Sequence, residues 1–455
     1  MKKIFLFSMI VSQFLISCSS GGDSQESTSS QDLTSQIAEI IKQPYSNLTP
    51  SQQKVKMEAE ANDMLVQMDK SKTSGAIEAM QNLENLLDIG NSIDLFKGKN
   101  DNEIEDILNV SGVYAVYTWN NSKQDWVKSN STSELKFVFP AKKSQTLNNA
   151  SFSSKGTSSN IKVEIEDTYG DWVYDPITDD YIQTQSINDY FYLPTSVDAI
   201  LTIDNAQAAT FVTSAKYNGT EEVPVEASYK MVLNDGYTFE ISGGKKATAN
   251  FAKSSFSYNG KNLISFNAGS TADIDALIED EDLIQYQGKA NGLVQIMDNF
   301  IIVADMDIAE QTKDEDELEE SLLYPTYPDY YNPNTNFKAY YTALNTYRKK
   351  YSEGNVLNYN KNLKLILVSK KDGTKIADVV YRSEKEYSYD IKLPVWYGTE
   401  WSWYGNGEII TTQYYDEVLY LKFNDNTEVE MSAYFSTGFE DLEDKFEDFL
   451  EAFER

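Results

Sequence analysis

The alternation that decides the fold class is clearest at residues 161–166, which read Ile-Lys-Val-Glu-Ile-Glu. Apolar and charged side chains take turns there, so a strand would bury one face and expose the other to water. Because antiparallel sheets tolerate one solvated face, this pattern predicts antiparallel strands. Further strands are predicted on β-branched and aromatic composition or on alternation at 113–119, 134–139, 190–193, 199–203, 209–217, 225–233, 237–242 and 293–308.

Turn residues predict two hairpins near the end of the chain. Leu363–Ser369 and Ile376–Tyr381 flank Lys371-Asp372-Gly373, and Asp-Gly supplies the positive φ values that a tight primed turn requires. A second hairpin is predicted to turn at Asn424-Asp425-Asn426, because Asn and Asp tolerate the left-handed conformation.

Helical periodicity replaces the strand pattern near both ends. A helix start is predicted at Thr49, which would cap the helix. Pro50 suits the first helical position, where no backbone N–H is needed, and Gln52 can close a capping box. The apolar stripe that follows is expected to lie in the core, and it comprises Val55, Met57, Ala61, Met64, Leu65 and Met68. Residues 437–453 predict an amphipathic helix that packs onto the sheet, with a partner-binding helix as the alternative.

These patterns together predict an α+β protein with an N-terminal helical region, a mainly antiparallel β body and a C-terminal amphipathic helix. The predicted divisions are a signal peptide at 1–17, a flexible tether at 18–31, a helical region at 32–110, an antiparallel β domain at 111–310, an acidic Tyr-Pro insert with a helix at 311–360, and β hairpins with the C-terminal helix at 361–455.

The first residues indicate export and a lipid anchor. Lys2 and Lys3 precede an apolar run that is too short and too interrupted to span a membrane. Leu15-Ile16-Ser17-Cys18 resembles the lipobox of bacterial lipoproteins, and Cys18 is the only cysteine. The chain thereby resembles uncharacterised outer-membrane lipoproteins of Bacteroidota, which implies that Cys18 carries diacylglycerol and becomes the N-terminus. An ordinary secretory signal with an incidental cysteine is the alternative.

The segment after Cys18 predicts how the folded body is attached. Residues 19–31 are rich in Ser, Gly and Gln, and such a flexible tether spans about 20 Å on average. The expected location is therefore the outer membrane, with the membrane as a partner through the anchor. Periplasmic face and cell surface both stay open, because the residues after Ser19 are only mildly acidic.

Composition limits the chemistry and the partners. The chain has 71 acidic and 39 basic residues, a formal charge of −32 and no histidine. This excludes Ser-His-Asp triads and His-ligated metals, and it makes nucleic acid an unfavourable partner. An acylated Cys18 would leave no thiol nucleophile. Carboxylate chemistry such as glycoside hydrolysis stays open, although no pair of acids can be singled out, so we expect a non-enzymatic protein.

An acidic stretch offers a candidate calcium site. Asp171, Asp175, Asp179 and Asp180 fall within ten residues, and their oxygen atoms are the ligands that Ca²⁺ prefers. The stretch lacks the spacing of a helix-loop-helix calcium loop. The favoured interpretation is therefore an Asp-Pro turn with acidic flanks, and no cofactor other than calcium is suggested.

Clustered aromatic residues offer a candidate ligand site. Trp396, Tyr397, Trp401, Trp403 and Tyr404 lie among glycines, where rings are often exposed, and an exposed ring can stack on the flat face of a sugar. The alternative is that these rings form cross-strand pairs within a sheet. A second aromatic cluster covers Tyr324–Tyr331.

Three functions are compatible with these features. The first is a binding module at the outer membrane, with glycan as the suggested ligand. The second is an accessory subunit of an envelope secretion or uptake complex. The third is a carrier of apolar cargo between the sheet and the helices.

Overall fold

One 16-stranded sheet dominates the computed structural model, which describes residues 30–89, 104–167, 172–178, 180–183, 186–246, 249–272 and 288–436. The strands of this sheet are β1 (Ala115–Asn120), β2 (Asp125–Asn130), β3 (Leu135–Phe139), β4 (Ala150–Asp167), β7 (Ser186–Ile203), β8 (Ala206–Tyr217), β9 (Pro224–Leu233), β10 (Tyr237–Lys246), β11 (Ala249–Tyr258), β12 (Lys261–Ser270), β13 (Lys289–Ile296), β14 (Phe300–Asp307), β15 (Leu363–Ser369), β16 (Thr374–Lys392), β19 (Ile409–Lys422) and β20 (Glu428–Glu430).

Two short hairpins and several helices complete the described structure. One hairpin pairs β5 (Trp172–Asp175) with β6 (Asp180–Gln183), and the other pairs β17 (Val395–Trp396) with β18 (Trp401–Ser402). The α-helices are α1 (Ser30–Ile41), α2 (Pro50–Asp69), α3 (Gly75–Ile89), α4 (Ile104–Leu108), α5 (Ile308–Ser321), α6 (Phe337–Asn362) and α7 (Met431–Phe435), and a 3₁₀ turn covers Lys70–Thr73.

The strand order is β2-β1-β3-β4-β7-β8-β9-β10-β11-β12-β13-β14-β15-β16-β19-β20. All of these neighbours are antiparallel except β1 and β3, which pair in parallel. The predicted β-rich, mainly antiparallel body is therefore confirmed. β14 pairs directly with β15, so α5 and α6 form a long connection between two adjacent strands.

Because the chain reverses direction from one strand to the next, the connections between strands lie alternately at two opposite edges of the sheet. From β7 onward, every second connection is a tight turn, and these turns contain most of the positive-φ residues, such as Asn205, Gly236, Asn259, Gly260, Met297, Gly373 and Asn426. We call this side the turn edge. The opposite side, the loop edge, carries the long connections, including the one from β14 to β15 and those that hold the two short hairpins. Both hairpins turn where predicted, at Gly373 and Asn426, each with a φ of 61°. The primed turn predicted for Asp372-Gly373 is wrong, because Asp372 does not have the positive φ that such a turn requires.

The middle of the sheet is buried on both faces. Phe300 of β14 and Leu367 of β15 pack with Met57 of α2 on one face. The next residues, Ile301 and Val368, pack on the other face in the cluster that contains Leu33 and Ile37 of α1. Because neighbouring residues of a strand point to opposite faces, β14 and β15 contribute to two cores at once.

Helix α2 follows the turn edge. Its predicted capping box is present: the backbone N–H of Gln52 donates to Thr49 Oγ1, and the backbone N–H of Thr49 donates to Gln52 Oε1. The Tyr237 hydroxyl donates to the Gln67 carbonyl oxygen at 2.5 Å, near the helix end, and Tyr434 donates to the Pro50 carbonyl at 2.7 Å. These contacts tie β10 and the short helix α7, which follows β20 at the far end of the strand order, to one helix.

The predicted apolar stripe of α2 is buried except at one position. Met57, Ala61, Met64, Leu65 and Met68 lie in the core. Val55 was expected there and is 65% exposed, so that prediction is wrong. Two residues turn a helix by about 200°, which places Val55 nearly opposite Met57.

Several expectations fall outside the described residues. They are the anchor at Cys18, most of the tether at 18–31 and the C-terminal helix at 437–453. Within the described ranges, no helix combines the length and apolar composition that a membrane crossing requires.

A buried threonine in β19 gives a test of this fold. Thr412 is 1% exposed, and its hydroxyl has no hydrogen-bond partner among the described residues. We expect Thr412→Val to raise the free energy of unfolding by about 1 kcal/mol, because the buried hydroxyl is removed and the shape is kept.

The neighbouring Thr411 provides a matched control. Its hydroxyl donates to Asp390 Oδ1 at 2.7 Å in an exposed position, so Thr411→Val should bring no gain. Urea unfolding of both variants measures the difference. A loss of stability in Thr412→Val would mean that this hydroxyl is satisfied.

Candidate ligand-binding surface

The strands β16 and β19 leave the main sheet together at the loop edge. β15 accompanies β16 only as far as Val379, and β20 pairs only with the last residues of β19, from Tyr420. Residues 380–392 and 409–419 therefore form a two-stranded extension, which we call the β16–β19 ribbon. The β17–β18 hairpin lies at its far end.

Helix α6 supplies hydrogen bonds to both edges of this ribbon. Near its C-terminus, the Asn360 side chain accepts from Tyr381 N at 2.9 Å and donates to Tyr381 O at 3.0 Å. Near its N-terminus, Asn345 accepts from Gln413 N at 2.9 Å and donates to Thr411 O at 2.8 Å. Each amide replaces a missing strand partner, so the helix crosses the ribbon and protects its open edges.

A tyrosine-proline segment, residues 323–335, runs antiparallel along α6. The rings of Tyr324 and Tyr347 are 5.0 Å apart, measured between centroids. Those of Tyr327 and Tyr340 are 5.9 Å apart, and Tyr330 lies 5.0 Å from Phe337. Tyr324, Tyr327 and Tyr330 recur every third residue, which is the repeat of a polyproline II helix and places them on one side of an extended chain.

Phe337, the first residue of α6, joins the two predicted aromatic clusters. Its ring lies 5.0 Å from Tyr330, 4.8 Å from Trp401 and 6.0 Å from Trp403. The Trp401 indole nitrogen also donates to the Asn332 carbonyl at 3.0 Å. Trp401 and Trp396 are directly opposed in the β17–β18 hairpin, with centroids 5.7 Å apart.

The five predicted site residues divide into two groups. Trp396 and Trp401 are half-buried and hold the hairpin against α6 and the tyrosine-proline segment. Tyr397, Trp403 and Tyr404 are 61%, 39% and 100% exposed. Tyr324 is also exposed, but it packs on Tyr347, farther along α6. The other exposed rings of the two clusters form what we call the aromatic surface: Tyr327, Tyr331, Tyr397, Trp403 and Tyr404.

Backbone approach explains one of the glycines near these rings. A Cβ atom at Gly407 would collide with the Leu393 carbonyl oxygen at the base of the hairpin. At the hairpin turn, Gly398 has a φ of 76°, in the region that L-residues rarely adopt. The glycines therefore shape the hairpin that presents Tyr397, Trp403 and Tyr404.

The tyrosines beside the surface keep their protons well above neutral pH. Burial, followed by a hydrogen bond with Tyr327, raises the pKa of Tyr330 to about 12. Burial and then a hydrogen bond with Tyr324 raise the pKa of Tyr340 to about 12. The nearby Glu408 carboxylate is paired with Lys338. Tyr330 and Tyr340 thus place neutral hydroxyl groups beside the exposed ring faces.

The acidic stretch has the structure of a turn where it is described. Asp175 accepts from Ile177 N at 2.9 Å and from Thr178 Oγ1 at 3.1 Å, which is the geometry of an Asx turn. Asp171 and Asp179 lie outside the described residues, and Asp180 begins β6. Among the described residues no group of three potential ligands could hold a metal ion. The calcium site remains a prediction.

Some residues that organise the surface were not predicted from the sequence. The sequence predicts a helix only from Asn336 to Ser352, but α6 continues to Asn362. Asn360 therefore lay outside the predicted helix. Asn345 lay within it and was not singled out, although asparagine inside a helix is unfavourable and is itself a sign of a side-chain role. Phe337 gave no signal beyond its position after the cap residue Asn336.

The bond between Trp401 and Asn332 gives a test of this assembly. Trp401→Phe keeps a ring but loses the donor, which we expect to cost about 1 kcal/mol and to expose the tyrosine-proline segment about fivefold more often. Chymotrypsin should then cleave faster after Tyr330 and Tyr331, as followed by mass spectrometry of the fragments. Trp403→Phe is the control, because its indole donates no hydrogen bond within the described structure. Equal cleavage of both variants would contradict the role of this bond.

Comparison with known proteins finds no relative of this chain. The chain matches no family model, no curated protein and no solved structure.

Proposed function

We propose that this protein is a lipid-anchored, non-enzymatic binding protein of the bacterial outer membrane that takes glycan on the aromatic surface. The observation that carries the proposal is the exposure of five rings, Tyr327, Tyr331, Tyr397, Trp403 and Tyr404, above a firmly packed support. Exposed aromatic patches are uncommon on proteins that bind nothing through them.

The chemistry of the surface favours a sugar over other ligands. Ring faces stack on the apolar face of a sugar, and tyrosine hydroxyl groups donate to and accept from its hydroxyls. The formal charge of −32 disfavours nucleic acid and anionic lipid headgroups. The pairing of Glu408 with Lys338 leaves less uncompensated charge beside the rings.

The attachment to the membrane follows from the N-terminal residues. An acylated Cys18 and the tether after it would lead into α1, whose Leu33 and Ile37 pack on the sheet. The sheet would then be held at about 20 Å from the lipid by the tether. Either face of the outer membrane is compatible with this arrangement.

A carrier of apolar cargo is less well supported. Cargo between the sheet and the helices would need apolar free space. On the face covered by α3, residues such as Leu83 and Phe152 are fully buried in one packed cluster. On the face covered by α1, a cavity of about 500 Å³ is lined in part by polar and charged side chains, including Glu39 and Lys370, which does not suit apolar cargo. A protein partner at the aromatic surface, as in an accessory subunit, is the outcome that absence of glycan binding would favour.

The first test removes two exposed rings. We expect Trp403→Ala combined with Tyr404→Ala to weaken retention on a glycan array about tenfold, since each stacked ring contributes about 0.5–1.5 kcal/mol. Tyr404→Ala alone should leave thermal unfolding unchanged, because this side chain is fully exposed, and it separates lost stacking from the loss of the Trp403 contact with Phe337. Tyr114→Ala, at a 41% exposed tyrosine elsewhere on the chain, is the control. The proposal fails if the parent protein is retained on no glycan.

The second test concerns the anchor. Cys18→Ser should abolish incorporation of a fatty-acid label and move the protein from the membrane fraction to the soluble fraction, because anchoring depends on the buried acyl chains. An unlabelled parent protein would contradict lipidation.

A further inference from the structure

A second pair of strands leaves the sheet as the β16–β19 ribbon does. β3 accompanies β4 only to Ser154, and β8 accompanies β7 only from Ser196. Residues 158–167 and 186–195 are therefore a two-stranded extension, the β4–β7 ribbon, with one bridge from Tyr192 to Ser111. The β5–β6 hairpin follows it at the far end.

Both ribbons leave from the loop edge. β4 and β16 are separated by ten antiparallel steps in the strand order, so both ribbons leave from the same edge. At about 4.8 Å per step, they start roughly 48 Å apart measured along the sheet, and each step adds a twist of roughly 20°. A short fragment cannot contact both ribbons, whereas a long flexible chain that follows the twisted edge would be able to.

The hairpins at the two ends are built alike. Tyr174 and Tyr181 are directly opposed in the β5–β6 hairpin, with centroids 5.5 Å apart and rings inclined at 62°. Trp396 and Trp401 in the β17–β18 hairpin are 5.7 Å apart and inclined at 68°. Tyr174 and Tyr181 are 47% and 60% exposed, so part of each ring is open to solvent.

The described charges near the β5–β6 hairpin are largely engaged. Glu164 of the ribbon pairs with Lys162 at 2.7 Å, and Asp175 at the turn accepts from Ile177 and Thr178. The exposed rings of Tyr174 and Tyr181 therefore stand beside compensated charge, which suits an uncharged chain of sugars. A polyanion, or a second copy of the chain, would be repelled by the formal charge of −32 of the whole protein.

We propose that Tyr174 and Tyr181 form a second contact site for the same uncharged polysaccharide that the aromatic surface binds. This inference rests on the proposed function. A long chain that is already bound at the aromatic surface would reach the second site as an intramolecular contact. This second contact would strengthen binding of the polymer without altering the affinity of the first site. A trisaccharide is too short to reach both.

The test compares a polymer with its own short fragment on the detergent-solubilised full-length protein. The probe is amylose, mixed-linkage β-glucan or galactomannan, whichever retains the parent, together with its trisaccharide. We expect Tyr174→Ala with Tyr181→Ala to weaken binding of the polymer at least tenfold and to leave trisaccharide binding unchanged. Trp403→Ala with Tyr404→Ala should weaken both, and Tyr114→Ala neither.

The outcomes separate this inference from the proposed function. Unchanged polymer binding by the Tyr174/Tyr181 variant, alongside weakened binding by the Trp403/Tyr404 variant, would overturn the second site alone. Weaker trisaccharide binding by the Tyr174/Tyr181 variant would also overturn it, because the two sites would then not be independent. A parent protein that binds none of the three polymers would overturn both proposals.

Discussion

Reversal of chain direction at every step from β4 to β20 is the constraint on which the rest of the structure depends. A meander of this kind must alternate its connections between two edges. Because the turn edge is closed by tight turns at residues such as Asn205, Gly260 and Gly373, long connections accumulate at the loop edge. The loop edge therefore carries the tyrosine-proline segment, α6 and both ribbons.

The open backbone edges of the two ribbons are protected in different ways. An isolated two-stranded hairpin is only marginally stable in water. In the β16–β19 ribbon, Asn345 and Asn360 of α6 bind the open backbone groups, and the rings packed on the helix add apolar contact. In the β4–β7 ribbon, Ser111 forms an isolated bridge with Tyr192, and a Cβ atom at position 156 would lie only 3.0 Å from the Val110 carbonyl oxygen, so glycine eases this approach. The first ribbon is thus supported along its length by a helix, and the second by one bridge.

Local signals in the sequence predicted the strands, the turns and the helix start, because alternation, Asp-Gly and a capping box act within a few residues. They did not predict Val55 correctly, since a run of apolar residues does not fix which helical face meets the sheet. The five aromatic site residues were found by composition, but their separation into supporting and exposed rings depends on Phe337 and Asn332. These residues lie more than sixty positions from Trp401, and no local pattern encodes such a contact.

The negative charge of the protein and its exposed aromatic rings would act on ligands at different distances. Repulsion between like charges acts over about 8–10 Å at physiological ionic strength, so it discourages polyanions before any ring is touched. Stacking acts only at contact and is little affected by the net charge. A chain with a formal charge of −32 and exposed tyrosine and tryptophan rings would therefore favour uncharged ligands over anionic ones, largely by repelling the anionic alternatives.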